Sequence, residues 1–160
     1  MDIEELDSIQ DIDWARLAMC IDCEGSIMIT KQRDPRHFAG YRYLNRIQVS
    51  NTNYRLVDWL QFFFGFNINK RKTKQKQYHK DQYIAYVDSH LAVMIAHKIY
   101  PWLVIKRELA QLIIEMQESL TYQSKGRGVR VPNEVMLHRD NLYLRAKELN
   151  TKGVSLRTSG

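Results

Sequence analysis

The sequence predicts an α+β domain, with one antiparallel sheet of four strands and helices on one of its faces. Three observations carry that prediction. Apolar residues recur at helical spacing in separate segments, as at Trp14, Leu17, Ala18 and Ile21. Between these segments lie paired runs with strand character, 26–32 with 41–50 and 66–76 with 82–88. Turn and breaker residues separate the runs: Asp34-Pro35, Gly40, Asn53, Gly65 and Pro101.

Taken in order, the first helix runs from about Ile12 to Glu24, with Gly25 just past its end. SIMITKQ and YRYLNRIQVS then form a hairpin around Pro35 and Gly40. Asn53 can cap a second helix that buries Leu56, Val57, Leu60 and Phe63/Phe64 and stops at Gly65. A second hairpin follows. Ser89 caps a helix to about Tyr100, which Pro101 interrupts. Another helix, about Val104–Leu120, presents Leu109, Leu112, Ile113 and Met116. After a basic loop at 123–131, Pro132 starts a last helix to about Leu149. The order is αββαββα followed by more helix. No linker divides the chain, so residues 1–150 form one domain and 151–160 a loose tail.

The 160 residues suffice for a real core. No apolar run approaches the roughly 20 residues of a membrane span, and the acidic N-terminus lacks the marks of a signal peptide. Two cysteines cannot build a disulfide framework. An intracellular setting is expected, in no particular compartment, with no membrane partner. The net charge of +6 is unevenly spread. Residues 1–30 hold eight acids and a single Arg, whereas residues 31–80 hold twelve Lys or Arg against two Asp. Such concentration is the electrostatic footprint of a nucleic-acid binder. Lys70, Lys72, Lys74 and Lys76 fall at a spacing of two, which puts them on one strand face. Arg42 and Arg46 share a parity on the second strand, and Thr30 and Gln32 on the first. A twisted ribbon of such residues fits the major groove.

The end of the first helix is the strongest chemical signal. Asp22 and Glu24 sit where the helix dipole disfavours negative charge by a few tenths to about 1 kcal/mol. A bound cation would explain acids there; so would plain solvation. Cys20-x-x-Cys23 fits small packing residues better than a zinc or redox pair, since no second pair exists. The five histidines show no ligand spacing.

The stretch LAMCIDCEGS resembles the signature of the LAGLIDADG homing endonucleases, and the order of elements from Trp14 to Leu120 is similar to their core. The resemblance implies a metal-dependent endonuclease making double-strand breaks by phosphodiester hydrolysis, encoded within an intron. It makes Glu24 the ligand of Mg²⁺ (or Mn²⁺ or Ca²⁺), with the Cys23 backbone carbonyl beside it. Asp22 would serve the helix end instead. Asn51, Arg55 and Lys106, the last after Pro101-Trp102, match positions near the family's active site. Those residues would position water and stabilise phosphate charge. With the sheet as the DNA surface, the expected DNA-facing residues are Ser26, Met28, Thr30, Gln32, Arg42, Arg46, Gln48, Lys70, Lys72, Lys74, Lys76, Gln82 and Ile84. The chain carries one such motif, which implies a homodimer on a long, near-palindromic duplex site. Its seam is expected at Trp14, Leu17, Ala18 and Ile21. Met19 stands where the family pattern has Gly. The alternative reading keeps the basic sheet without cleavage, as in an RNA maturase or a DNA-binding regulator.

Overall fold

The computed structural model describes residues 3–71, 81–121 and 130–151. A short helix α1 (Ile3–Asp7) precedes α2 (Asp11–Glu24), then β1 (Gly25–Arg33), β2 (Tyr41–Asn51), α3 (Tyr54–Phe64), β3 (Asn67–Arg71) and β4 (Gln82–Asp88). Next come α4 (Ser89–Ile99), a 3₁₀ turn (Tyr100–Trp102), α5 (Arg107–Leu120) and α6 (Asn133–Thr151). The sheet is antiparallel throughout, in the order β1-β2-β4-β3. This is the expected α+β architecture. The short α1 was not expected from its acidic sequence, although its Leu6 is buried in the core.

Helix α2 lays Trp14, Leu17, Ala18 and Ile21 into the core, where Trp14 meets Phe64 at 5.2 Å between ring centroids. Asn53 caps α3 as expected, its side chain accepting a hydrogen bond from the Arg55 backbone N–H. Gly65 ends that helix at φ +69°, in the left-handed region that favours glycine. The other helix end works differently. Gly25 is extended (φ −97°, ψ 176°), so its backbone makes no demand for glycine. A Cβ there would lie 2.9 Å from Ile21 Cα and 3.2 Å from the Gln48 carbonyl. Glycine is needed at that position because α2 turns straight into the sheet with no room for a side chain.

Helix α4 starts at Ser89, which has φ +52°. Its N-cap position is Asp88, whose side chain makes no cap bond because Arg46 occupies the carboxylate. Helix α5 begins at Arg107 rather than near Val104, since residues 104–106 are held by Asp22 of α2. Helix α6 packs on α5 and on the outer edge of β1, where Asn150 Nδ2 donates to the Ile27 carbonyl. That contact covers part of an otherwise open strand edge. Thr151, expected in the tail, is the last residue of α6; residues 152–160 and most of the basic loop lie outside the described residues. No helix among the described residues is long and apolar enough to cross a membrane.

Candidate nucleic-acid interface and active site

The strand register assigns every described sheet residue to a face. Ile27 opposite Ile47 and Val49 opposite Ala85 point to the helices and are buried. The alternate residues point the other way: Ser26, Met28, Thr30 and Gln32 on β1, paired with Gln48, Arg46, Leu44 and Arg42 on β2. Gln82, Ile84, Tyr86 and Asp88 of β4 continue this face, as do Asn67, Asn69 and Arg71 of β3. Ten of the thirteen residues expected to meet DNA lie on described strands, and nine of these share this open face.

Lys70 is the exception. It pairs with Tyr83, on the helix side, and forms an ion pair with Asp81 at 2.6 Å. The apolar Ile68, opposite Ala85, fixes the parity of β3 and sends Lys70 with it. Arg71, Asn69 and Asn67 occupy the open face instead. Lys72, Lys74 and Lys76 lie outside the described residues. Acids are also present on or beside the face. Arg46 donates to both Asp88 oxygens at 2.6 and 2.8 Å, and Arg42 lies 3.8 Å from Asp34.

Glu24 is the last residue of α2, immediately before β1. Its side chain is exposed and makes no hydrogen bond or ion pair among the described residues. Its charge nevertheless reaches its neighbours: burial first, then the Glu24 carboxylate, push the Cys20 thiol up to about 11. Asp22, two residues earlier, is only 5% exposed. Its carboxylate accepts from the backbone N–H groups of Val104 (2.7 Å), Ile105 (3.2 Å) and Lys106 (2.9 Å). It therefore serves not its own helix end but the turn of residues 104–106 that leads into α5, whose N-terminal dipole its charge suits. Lys106 Nζ donates in return to the Asp22 carbonyl at 2.5 Å. This double link holds the lysine at the end of α2 that carries Glu24.

Asn51 lies two residues beyond Val49, the partner of Gly25, and so at the same end of the sheet. Its Oδ1 accepts from the Asn53 N–H and shapes the turn into α3. Arg55 lines a depression of about 600 Å³ with Arg16, Met19, Cys20, Leu56 and Trp59. That depression adjoins the outward side of α2, which corrects the expected seam. Trp14, Leu17, Ala18 and Ile21 are all 3% exposed or less, inside the protomer, so no second chain can reach them. The helix has a second stripe at helical spacing, namely Ile12, Met19, Cys20 and Cys23, with Arg16 among them. Ile12 and Met19 are exposed at 62% and 56%. The sequence signal for this stripe was present, because α2 is apolar or small on almost every side. The larger residues simply claim the core.

Comparison with solved structures then identifies the architecture. The fold is that of the LAGLIDADG homing endonucleases. The homing endonuclease I-CvuI, solved with its target in the presence of Ca, matches with a TM-score of 0.72 at 16% identity, over 92% of this chain and 85% of that one. The archaeal intron-encoded homing endonuclease I-Vdi141I, complexed with DNA, matches at 0.68 and 15% identity over 87% and 84%. The LAGLIDADG homing endonuclease I-GzeII, solved with its DNA target, matches at 0.60 and 17% identity over 85% of this chain but 44% of that one. No family model and no curated protein matches the sequence. Helix α2 carries the stretch that resembles the family's signature, and the open sheet face runs on from its acidic end.

Proposed function

We propose that this protein is a site-specific DNA endonuclease that acts as a homodimer and requires a divalent cation. The observation that carries the reading is Glu24. It is an exposed carboxylate without a partner among the described residues, at a helix end that disfavours it, where the motif helix delivers the chain into a polar and basic sheet face. The homing endonucleases I-CvuI and I-Vdi141I, similar in fold, were solved with DNA, I-CvuI in the presence of Ca or Mg.

The donors present suit a hard cation. Glu24 and the Cys23 carbonyl offer oxygen, which Mg²⁺, Mn²⁺ and Ca²⁺ prefer. No group of three His, Cys, Asp or Glu side chains with metal-binding geometry exists among the described residues. The remaining ligands would be DNA phosphate, water and a second copy of the chain. When bound, the cation lowers the pKa of water and offsets phosphate charge. Lys106, linked through Asp22 to the same helix end, places a positive charge for the phosphate. Asn51 and Arg55 support the turn and the flank beside it. One protomer carries one such site, so breaking both strands requires two protomers. The exposed stripe of Ile12, Met19 and Cys23 is the surface on which α2 would meet its mate.

The test separates binding from cutting. Duplexes selected from a random library by the protein are incubated with Mg²⁺ and either wild type or Glu24→Gln. The expected result is double-strand cleavage by wild type only, with equal binding by both. Binding without cleavage by wild type in Mg²⁺ or Mn²⁺ would leave a non-cleaving binder in its place.

A further inference from the structure

Arg46 sits in β2, one of the two central strands, facing outward with Met28 opposite on β1 and Asp88 opposite on β4. Asp88 accepts from Nε at 2.6 Å and from Nη2 at 2.8 Å. The guanidinium also lies over the Tyr86 ring, 4.7 Å from its centroid. Both side chains are about 29% exposed. An ion pair at such a surface adds little stability. Its consequence is orientation.

A guanidinium has five N–H donors. Asp88 engages the Nε–H and one Nη2–H, and Tyr86 restrains the plane. The forward edge, with one N–H from each terminal nitrogen, meets no acceptor among the described residues, which leaves it to a ligand above the sheet. That edge matches two acceptors side by side. In the major groove guanine presents such a pair, N7 and O6, whereas adenine presents an acceptor and a donor. Asp88 also cancels much of the arginine's charge, which makes the pair a poor phosphate clamp. Phosphate contacts attract and position DNA, while base contacts specify it.

We propose that Arg46, buttressed by Asp88, reads one guanine in each half of the DNA site. The proposal rests on the endonuclease reading above and names a specificity determinant within it. Asp88 is a positioning residue: it holds the fork in the readout orientation and suppresses binding to phosphate.

The experiment selects duplexes from a random library with wild type, Arg46→Lys and Asp88→Asn, then measures affinity for the wild-type site and for an unrelated duplex. Wild type is expected to select a fixed guanine at symmetry-related positions. Replacing that guanine by adenine should weaken wild-type binding roughly ten- to hundredfold. Arg46→Lys keeps the charge but lacks the fork. It should lose most of that discrimination while binding the unrelated duplex within about twofold of wild type. Asp88→Asn should narrow the guanine preference and bind the unrelated duplex more tightly, with a steeper salt dependence. The proposal is overturned if Arg46→Lys selects the same site with undiminished guanine preference, or weakens both duplexes equally. If wild type binds no duplex at low salt, the endonuclease reading fails and takes this proposal with it.

Discussion

Asp22 offers a quantitative test of how the motif helix is tied to the rest of the fold. Its buried carboxylate receives three backbone N–H groups from residues 104–106. Hydrogen bonds to a charged group contribute about 1.5–3 kcal/mol each when counted singly. Here they share one acceptor, so their contributions do not simply add. Asp22→Ala leaves three donors unsatisfied where water has little access, so a total loss of about 3 kcal/mol is expected. Asp22→Asn keeps one acceptor oxygen and should cost about half as much. At this chain length 1 kcal/mol corresponds to about 2–4 °C, so the alanine variant should melt about 6–12 °C lower. The assay is urea unfolding and thermal melting at one fixed protein concentration, because self-association would shift both. A loss below about 0.5 kcal/mol for Asp22→Ala would refute this three-donor anchor and, with it, the argument that Asp22 holds Lys106.

Gly25→Ala should destabilise strongly, and Gly25→Asn equally, because the obstacle is backbone crowding by Ile21 and Gln48 rather than a left-handed φ; rescue by Asn in a circular-dichroism melt would contradict this. Met19→Lys should leave the protomer folded but give a monomer in sedimentation velocity, whereas Ile21→Ala should cost about 2–5 kcal/mol of stability; the reverse pattern would restore the buried face as the seam. In the Met19→Lys variant, where no mate covers the stripe, alkylation at pH 8 should modify exposed Cys23 well before Cys20, whose thiol burial pushes up to about 11, and mass spectrometry at successive times reads the order. Asp140 accepts from Tyr43 and Lys31, and the Tyr43 hydrogen bond, first among its causes, depresses its carboxyl pKa. A depressed carboxylate adds stability above its unfolded pKa, about 3.9, that is lost as pH falls through the folded value. Tyr43→Phe should therefore be less stable at pH 7 and lose less on acidification than wild type; parallel pH–stability curves would contradict the assignment.

Much of this was legible in the sequence because local signals and tertiary structure agree. Asn53 and Gly65 mark the ends of α3 by cap chemistry that needs no partner. The strand pairs follow from alternation bounded by Pro35, Gly40 and the flanking helices. Three readings failed where one local pattern admits two tertiary answers. Lys70 has the right spacing for one face of β3, but which face depends on Ile68 meeting Ala85 across the sheet. Helix α2 offers two apolar stripes, and only packing against Phe64 and the sheet shows that the bulkier one is internal. The start of α5 is set by a carboxylate more than eighty residues earlier, a long-range contact that no window around Val104 contains. At the candidate site, Glu24 and Lys106 were proposed from the motif and its pattern, and the structure links the lysine to the helix end that carries Glu24. The Arg46–Asp88 fork was missed because it joins residues from two strands distant in sequence.

The most direct test of the whole account is cleavage of the duplex formed by joining the sequences that flank the gene encoding this chain. With Mg²⁺, wild type should cut both strands at one position, at a rate that Glu24→Gln reduces to background. A duplex bound tightly yet left intact by wild type in Mg²⁺ and Mn²⁺ would contradict the endonuclease reading.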